Sequence, residues 1–326
     1  MSDARPPATD DDAVGATRPG ARVLAFLAVV VAAAMWGTDG VLRGGLALEL
    51  PAATVVAHEH LLLTLFTLPW LPRAIRTFRG LRPAAKLSIV LIGGGASAAA
   101  TTLFTLSFTY GDPTTPLLLQ KLQPVIAVLG ASLLLGERPT RRFVPLAAIA
   151  FAGGYLLSFP DPLAVSVDRL APALLAVSAA ALWAGGTVLG RAVAPDLATM
   201  ELTTLRFSIG LPFAASFVWL QLGPSGFAIT SGDVLPLVAL ALGPGLLAMT
   251  LYYRGLAGTP ASLATFGELA FPLTAVALGG LVAGQTLTMS QVVGLVILLS
   301  AITALALATR ARPLVRQPRA PLITPV

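Results

Sequence analysis

Apolar stretches of about 20 residues recur along the chain, separated by short polar or charged breaks. Each is long enough to cross a bilayer as a helix rising 1.5 Å per residue. The pattern predicts ten such helices, at roughly 22–43, 52–71, 86–108, 114–135, 142–159, 170–190, 199–221, 233–253, 261–284 and 290–308. The breaks carry charge and turn signals, among them Arg73 to Lys86, Gly111-Asp112-Pro113, Phe159-Pro160-Asp161-Pro162 and Gly223-Pro224-Ser225-Gly226. Residues 1–21 are polar, with the acidic run Asp10-Asp11-Asp12, and 309–326 scatters arginines among prolines. Neither segment can bury a core, and both are expected to be disordered cytoplasmic tails. The first lacks the basic start, apolar centre and small-residue cleavage site of a secretory signal.

The chain says nearly the same thing twice. Leu122-Gln123-Pro124-Val125-Ile126 and Gly136-Glu137-Arg138-Pro139-Thr140 recur 148 residues later as Ala270-Phe271-Pro272-Leu273-Thr274 and Gly284-Gln285-Thr286-Leu287-Thr288. Thr102-Leu103-Phe104 matches Thr250-Leu251-Tyr252 at the same offset, and Trp36 matches Trp183 at 147. A half-chain repeat in an apolar protein points to a transporter of two related halves with its site between them. The repeats are placed at 22–159 and 170–308. Five helices per half is an odd number, so the second half must insert upside down relative to the first. The expected fold is an all-α integral membrane protein of two inverted five-helix repeats.

Charge orients the chain. With the N-terminus inside, 17 of 21 basic residues fall in cytoplasmic segments and only Arg43 and Arg169 on the far side. That bias puts both termini in the cytoplasm. The excess of Arg over Lys and the abundant Ala point to a GC-rich bacterial genome, and so to a bacterial inner membrane. A charged fraction of 11% excludes an ordinary soluble domain. The net charge of +6 is dispersed among apolar stretches and is no nucleic-acid footprint. There is no Cys, hence no disulfide, thiolate nucleophile or Cys-ligated metal. No phosphate-binding Gly-x-x-x-x-Gly-Lys loop occurs, so ATP is not expected to drive transport directly. No cofactor is implied.

The Trp-Gly of the first helix, the Pro of the fourth and the Gly-Glu followed by Thr at its end resemble the EamA-type transporters of the drug/metabolite transporter superfamily. The second half repeats the pattern with Trp183, Tyr252-Tyr253-Arg254-Gly255, Glu268, Pro272 and Gly284. The resemblance covers about 22–308 and implies a ten-helix inverted-repeat fold that moves small metabolites, commonly outward. Three positions depart from the pattern: Gln285 stands in place of Glu, His58 in place of Arg (its repeat partner Arg206 keeps it), and Asp39 where small polar residues are usual.

Charges inside a bilayer are costly and mark cavities or partners. The candidates for substrate or proton binding are Glu268, Gln120, Lys121, Glu59, His58, Asp39 and Arg206, with Trp36, Trp183 and Tyr252 to stack on an organic ligand. Asp39 and Arg43, four apart, can pair on one helix face, as a rim ion pair or as a gate. His58 and His60 flank Glu59 but point about 200° apart, which disfavours a shared metal. Glu59 can relay protons between them or sit in a buried polar network. Lys121 has Leu269 as repeat partner, so its charge is not scaffold; it serves substrate or bridges to Glu59 or Asp39. Gln120 and Glu268 are repeat partners, each four residues before a proline that frees a carbonyl one turn earlier. Glu268 is the first choice for a substrate amine or a proton. Gly93-Gly94-Gly95, Gly186-x-x-x-Gly190 and Gly280-x-x-x-Gly284 offer close-packing faces, and Gly243-Pro244-Gly245 a hinge.

These residues predict a non-enzymatic secondary transporter working by alternating access, driven by coupled protons or by facilitated exchange, in a monomer or homodimer. The mix of acids and bases favours an amino acid or related zwitterion, and the resemblance implies export. A proton-coupled exporter of organic cations or drugs is the alternative, and a sensor or scaffold without transport is a remote one.

Overall fold

The structure, a computed structural model, describes residues 19–110, 114–135, 141–159, 161, 163, 167–193, 196–258, 267 and 270–310. Among these, all regular structure is helical. The first apolar stretch folds as α1 (Pro19–Gly37) and α2 (Asp39–Glu49), parted at Thr38, whose hydroxyl donates to the Met35 carbonyl at 2.7 Å. Together they make one apolar span, Val23–Glu49. It outruns the predicted end at 43, so Arg43 belongs inside the span and not on the far side of the membrane.

The second stretch is longer still. After α3 (Ala52–Thr67) comes a 3-10 turn, Leu68–Trp70, then α4 (Leu71–Gly80). The predicted break from Arg73 is therefore helical as far as Gly80. Pro69 and Pro72 each fall in the first turn of a segment, where a missing N–H removes no intrahelical bond. Arg73, Arg76 and Arg79 lie exposed along α4.

The third stretch joins α5 (Pro83–Leu91) to α6 (Ala100–Phe108) through a π-helical segment, Ile92–Ala99. In the second half, a π segment at Ala241–Leu247 is flanked by helices Ser231–Leu240 and Ala248–Gly258. The two π segments occupy equivalent places in the repeat, and each holds the glycines singled out from the sequence, Gly93-Gly94-Gly95 and Gly243-Pro244-Gly245. Wide π turns concentrate at functional sites.

Between these lie α7 (Thr114–Leu119), a 3-10 turn at Gln120–Leu122, α8 (Gln123–Leu135), α9 (Phe143–Ser158), α10 (Val167–Val193) and α11 (Thr199–Leu222). The eighth-stretch helices are then α12 (Ser231–Leu240) and α13 (Ala248–Gly258), followed by α14 (Ala270–Ala283) and α15 (Met289–Arg310). Helix α14 stops because Gly284 turns left-handed at φ +63° and the Gln285 N–H bonds back to the Gly279 carbonyl at 3.0 Å. The predicted Gly280-x-x-x-Gly284 packing face thus fails, since Gly284 has already left the helix. Thr288 and Gln291 start α15 with a capping box: the Thr288 N–H donates to Gln291 Oε1 at 3.0 Å and the Gln291 N–H to Thr288 Oγ1 at 3.4 Å.

Six helices among the described residues are long and apolar enough to cross a membrane: Val23–Glu49, Ala52–Gly80, Pro83–Phe108, Leu170–Gly190, Thr199–Leu222 and Ser231–Tyr252. Shorter apolar helices run over Phe143–Leu157, Ala270–Val282 and Met289–Ala304. The halves interlock: α1 packs on α13 and α14, α10 on α6 and α8, α3 on α11, and α9 on α15. The last crossing depends on small residues. A Cβ on Gly294 would lie 2.6 Å from the Leu157 nitrogen, and one on Gly153 2.7 Å from the Leu298 nitrogen.

Candidate functional site

The aromatic candidates meet as two pairs related by the repeat. Trp36 on α1 lies against Tyr252 on α13, ring centroids 4.9 Å apart. Trp183 on α10 lies against Phe104 on α6 at 5.0 Å. Trp36 corresponds to Trp183 and Phe104 to Tyr252, so each pair joins a helix of one half to a helix of the other in the same way. Both tryptophans and Phe104 pack into one cluster with Phe271 of α14. Lys121, in the 3-10 turn before α8, holds its Nζ 4.1 Å from the centroid of the Phe271 ring. The break in α1 comes from the same region: a Cβ on Gly37 would sit 2.7 Å from the Phe271 carbonyl oxygen.

Beside the aromatics lies a buried charge cluster. Arg43 Nε and Nη2 donate to the two Asp39 carboxylate oxygens at 2.8 and 3.0 Å. Nη1 and Nη2 donate to the two oxygens of Glu59 at 2.9 and 3.0 Å, and Nη1 also reaches Thr105 Oγ1 at 3.0 Å. One guanidinium thus spans two carboxylates bidentately and ties α2, α3 and α6 together. Its carbon lies 6.0 Å from the Phe104 ring centroid, which links the charges to the aromatics. The Asp39–Arg43 pair that the spacing allowed is real, but it is a triad with Glu59 in the interior and not a rim contact.

A second polar cluster joins α3, the first π segment and α11. His60 Nδ1 lies 2.9 Å from the Val56 carbonyl, so it carries the proton in the neutral ring. Nε2 then accepts from Ser97 Oγ at 2.9 Å. Ser97 Oγ in turn accepts from Arg206 Nε at 3.2 Å, and Arg206 Nη2 donates to the Ala96 carbonyl at 3.1 Å. His58 Nδ1 lies 2.9 Å from the Thr54 carbonyl. The relay drawn from His58 through Glu59 to His60 is not the geometry found: the carboxylate faces Arg43 while both rings turn to backbone carbonyls one turn earlier.

Two other expectations are corrected. Lys121 does not bridge to Glu59 or Asp39, because Arg43 holds both acids. Nor does Pro124 free a carbonyl at Gln120: the chain tightens into a 3-10 turn, and the Gln120 oxygen accepts the Gln123 N–H. The half-buried Gln120 sits on that turn. Glu268 lies outside the described residues. Among the described residues no group of three or more His, Asp or Glu gathers to hold a metal. Arg43, Thr105, Ser97 and Phe271 are members that the candidate set lacked. Only Arg43 carried a signal, its spacing from Asp39.

The model of the EamA-like transporter family matches this chain twice, over 23–159 and 170–307. The chain belongs to that family. It is similar to a protein of Fusobacterium nucleatum subsp. nucleatum named riboflavin transporter ImpX, 31% identical over 286 residues, covering 85% of this chain and 95% of that one. It is also similar to an uncharacterized transporter of Bacillus subtilis, YwfM, 27% identical over 293 residues, covering 87% and 94%. A solved crystal structure matches 91% of this chain and all of its own at a TM-score of 0.58 and 20% identity, a likeness of fold alone. This EamA-family chain is accordingly a multi-pass membrane transporter.

Proposed function

We propose that this family member carries a small planar aromatic metabolite of the flavin class across the bacterial cytoplasmic membrane by alternating access between inverted halves. The observation that carries the reading is the twin aromatic contact, Trp36–Tyr252 and Phe104–Trp183, one on each side of the repeat. Flat rings stack on such faces with about 0.5–1.5 kcal/mol per pair beyond their burial. Similarity to a protein named riboflavin transporter supports the same class.

The amino-acid reading is weaker on this geometry. It relied on Asp39, Glu59 and Glu268 to meet an ammonium, and Arg43 already neutralises the first two. The membrane topology is read as ten crossings: the six long spans, the three shorter apolar helices, and 114–135, with both termini cytoplasmic by the charge bias. Without a nucleotide-binding loop, net direction follows the gradients of substrate and of any coupled proton.

Binding to the native state raises the melting temperature by mass action, so a ligand panel tests the reading. Detergent-purified protein is melted, with circular dichroism as the readout, against riboflavin, amino acids, nucleosides and polyamines at two pH values. The reading expects a saturable shift from riboflavin. A shift from amino acids and none from riboflavin returns the site to a zwitterion. A shift from polyamines alone makes the aromatic pairs a cation cage.

A further inference from the structure

Two apolar clusters outside the aromatic site are copies of one another. The first gathers Ile89 and Ile92 of the third stretch with Leu197 before α11, around Ala74 and Phe78 of α4. The second gathers Leu237 and Leu240 of α12 with Leu50 after α2, around Val55 of α3. Ile89 and Leu237 are repeat equivalents at an offset of 148, as are Ile92 and Leu240, and Leu197 and Leu50 correspond at 147, the offset of the two tryptophans. Val55 and Ala74 lie on one span, Ala52–Gly80, in which α3 runs through the 3-10 turn into α4; at about 1.5 Å per residue this sets them about 28 Å apart. Each end of that span therefore carries an apolar cluster built from both halves, placed where it can act as a plug.

The ends differ in one respect. Across the first plug, Arg73 Nε donates to Glu201 Oε1 at 2.7 Å, joining α4 of the first half to the first turn of α11. The Arg73 side chain is 75% exposed and that of Glu201 only 6%. Glu201 is fixed independently, since its Oε2 accepts the Ala198 N–H at 3.1 Å. The equivalents of Arg73 and Glu201 are Gln221 and Ala53 at an offset of 148, and Leu220 and Thr54 at 147; neither combination can form an ion pair. At that end Thr54 Oγ1 donates to the Gly226 carbonyl at 2.7 Å instead.

We propose that the Arg73–Glu201 pair is a one-sided latch that holds the plug at the basic end closed and biases the transport cycle toward the conformer open at the other end. The inference rests on the alternating-access reading. A charge pair with one exposed partner loses attraction in salt, so the latch is weakened by ionic strength whereas the hydrogen bond at the far end is not.

The chain has no native Cys, so single thiols can report each plug. Leu197→Cys and Leu50→Cys are placed separately in the native, Arg73→Gln and Glu201→Gln backgrounds. Gln at 201 keeps the acceptor that caps α11, so the helix start is preserved. Maleimide labelling rates are measured in nanodiscs, where both faces meet reagent, and the purified variants are checked for an unchanged helical spectrum. The latch expects both charge-removing variants to speed labelling of the Leu197→Cys thiol about fivefold, the factor that about 1 kcal/mol gives, while labelling of the Leu50→Cys thiol slows. Raising salt toward about 1 M should do the same in the native background. Unchanged rates at both thiols overturn the latch and leave the riboflavin melting shift, and with it the transport reading, untouched. Rates that rise together at both thiols mean loosening and not exchange between conformers. That result overturns the latch, and the reciprocal access it rests on.

Discussion

Replacing Arg43 with Met is the sharpest test of the buried charge cluster. The substitution keeps an unbranched apolar stem and removes five N–H contacts, four of them to carboxylates at 2.8–3.0 Å. What remains is Asp39 and Glu59 facing each other with side chains only 13% and 7% exposed and no guanidinium between them. Charge-assisted hydrogen bonds are each worth about 1.5–3 kcal/mol, but they share one donor group and do not add. Breaking a buried ion pair from one side costs about 3–5 kcal/mol, because it strands charge away from water. We expect a loss in that range. The same logic makes a second prediction in the reverse direction. Adding Asp39→Asn and Glu59→Gln to Arg43→Met removes the stranded charges and should recover more than half of the loss. Unfolding is followed in mixed micelles of dodecylmaltoside and increasing sodium dodecyl sulfate, with tryptophan fluorescence as the signal, for the native, single and triple proteins. A single variant within about 1 kcal/mol of native, or a triple variant less stable than the single, would refute the claim that charge compensation holds α2, α3 and α6 together.

Trp36→Leu and Trp183→Leu should each weaken riboflavin binding about 2–10-fold, by similar factors because the two pairs are repeat equivalents; equilibrium dialysis would show whether the effects match. Gly294→Leu should abolish monodisperse folded protein on size exclusion, since its Cβ would meet the Leu157 nitrogen at 2.6 Å and the Gly153 carbonyl at 2.7 Å. Gly95→Ala, with nothing within 4 Å of the new Cβ, is the matched control and should behave as native. Gly284→Ala should cost about 1–2 kcal/mol in the same micellar unfolding assay, because φ of +63° places the new Cβ against backbone.

The repeat offset was the most legible feature of the sequence, because equivalent residues in two halves must land in equivalent surroundings. It paired Trp36 with Trp183 and Phe104 with Tyr252, and the structure brings those four into two like contacts. The Asp39–Arg43 pair was legible for a local reason, since four residues make one helical turn. Glu59 and Thr105 joining that pair was not, because the distance between helices is set by packing that spacing along one helix does not encode. The same limit hid Ser97, which meets His60 and Arg206 from another helix. Proline misled once: Pro124 read as freeing a carbonyl that a 3-10 turn then satisfied. Gly280-x-x-x-Gly284 read as a packing face because composition does not tell a helical glycine from one that ends the helix.

The central claim is that a flat metabolite moves through the aromatic site between the halves. Entrance counterflow in proteoliposomes tests it most directly: vesicles are loaded with unlabelled riboflavin, and uptake of trace labelled riboflavin is timed. The account predicts a transient accumulation that is absent from protein-free vesicles, saturates with riboflavin and falls sharply in Trp36→Leu and Trp183→Leu. No accumulation with riboflavin, together with counterflow of an amino acid under the same conditions, would contradict it.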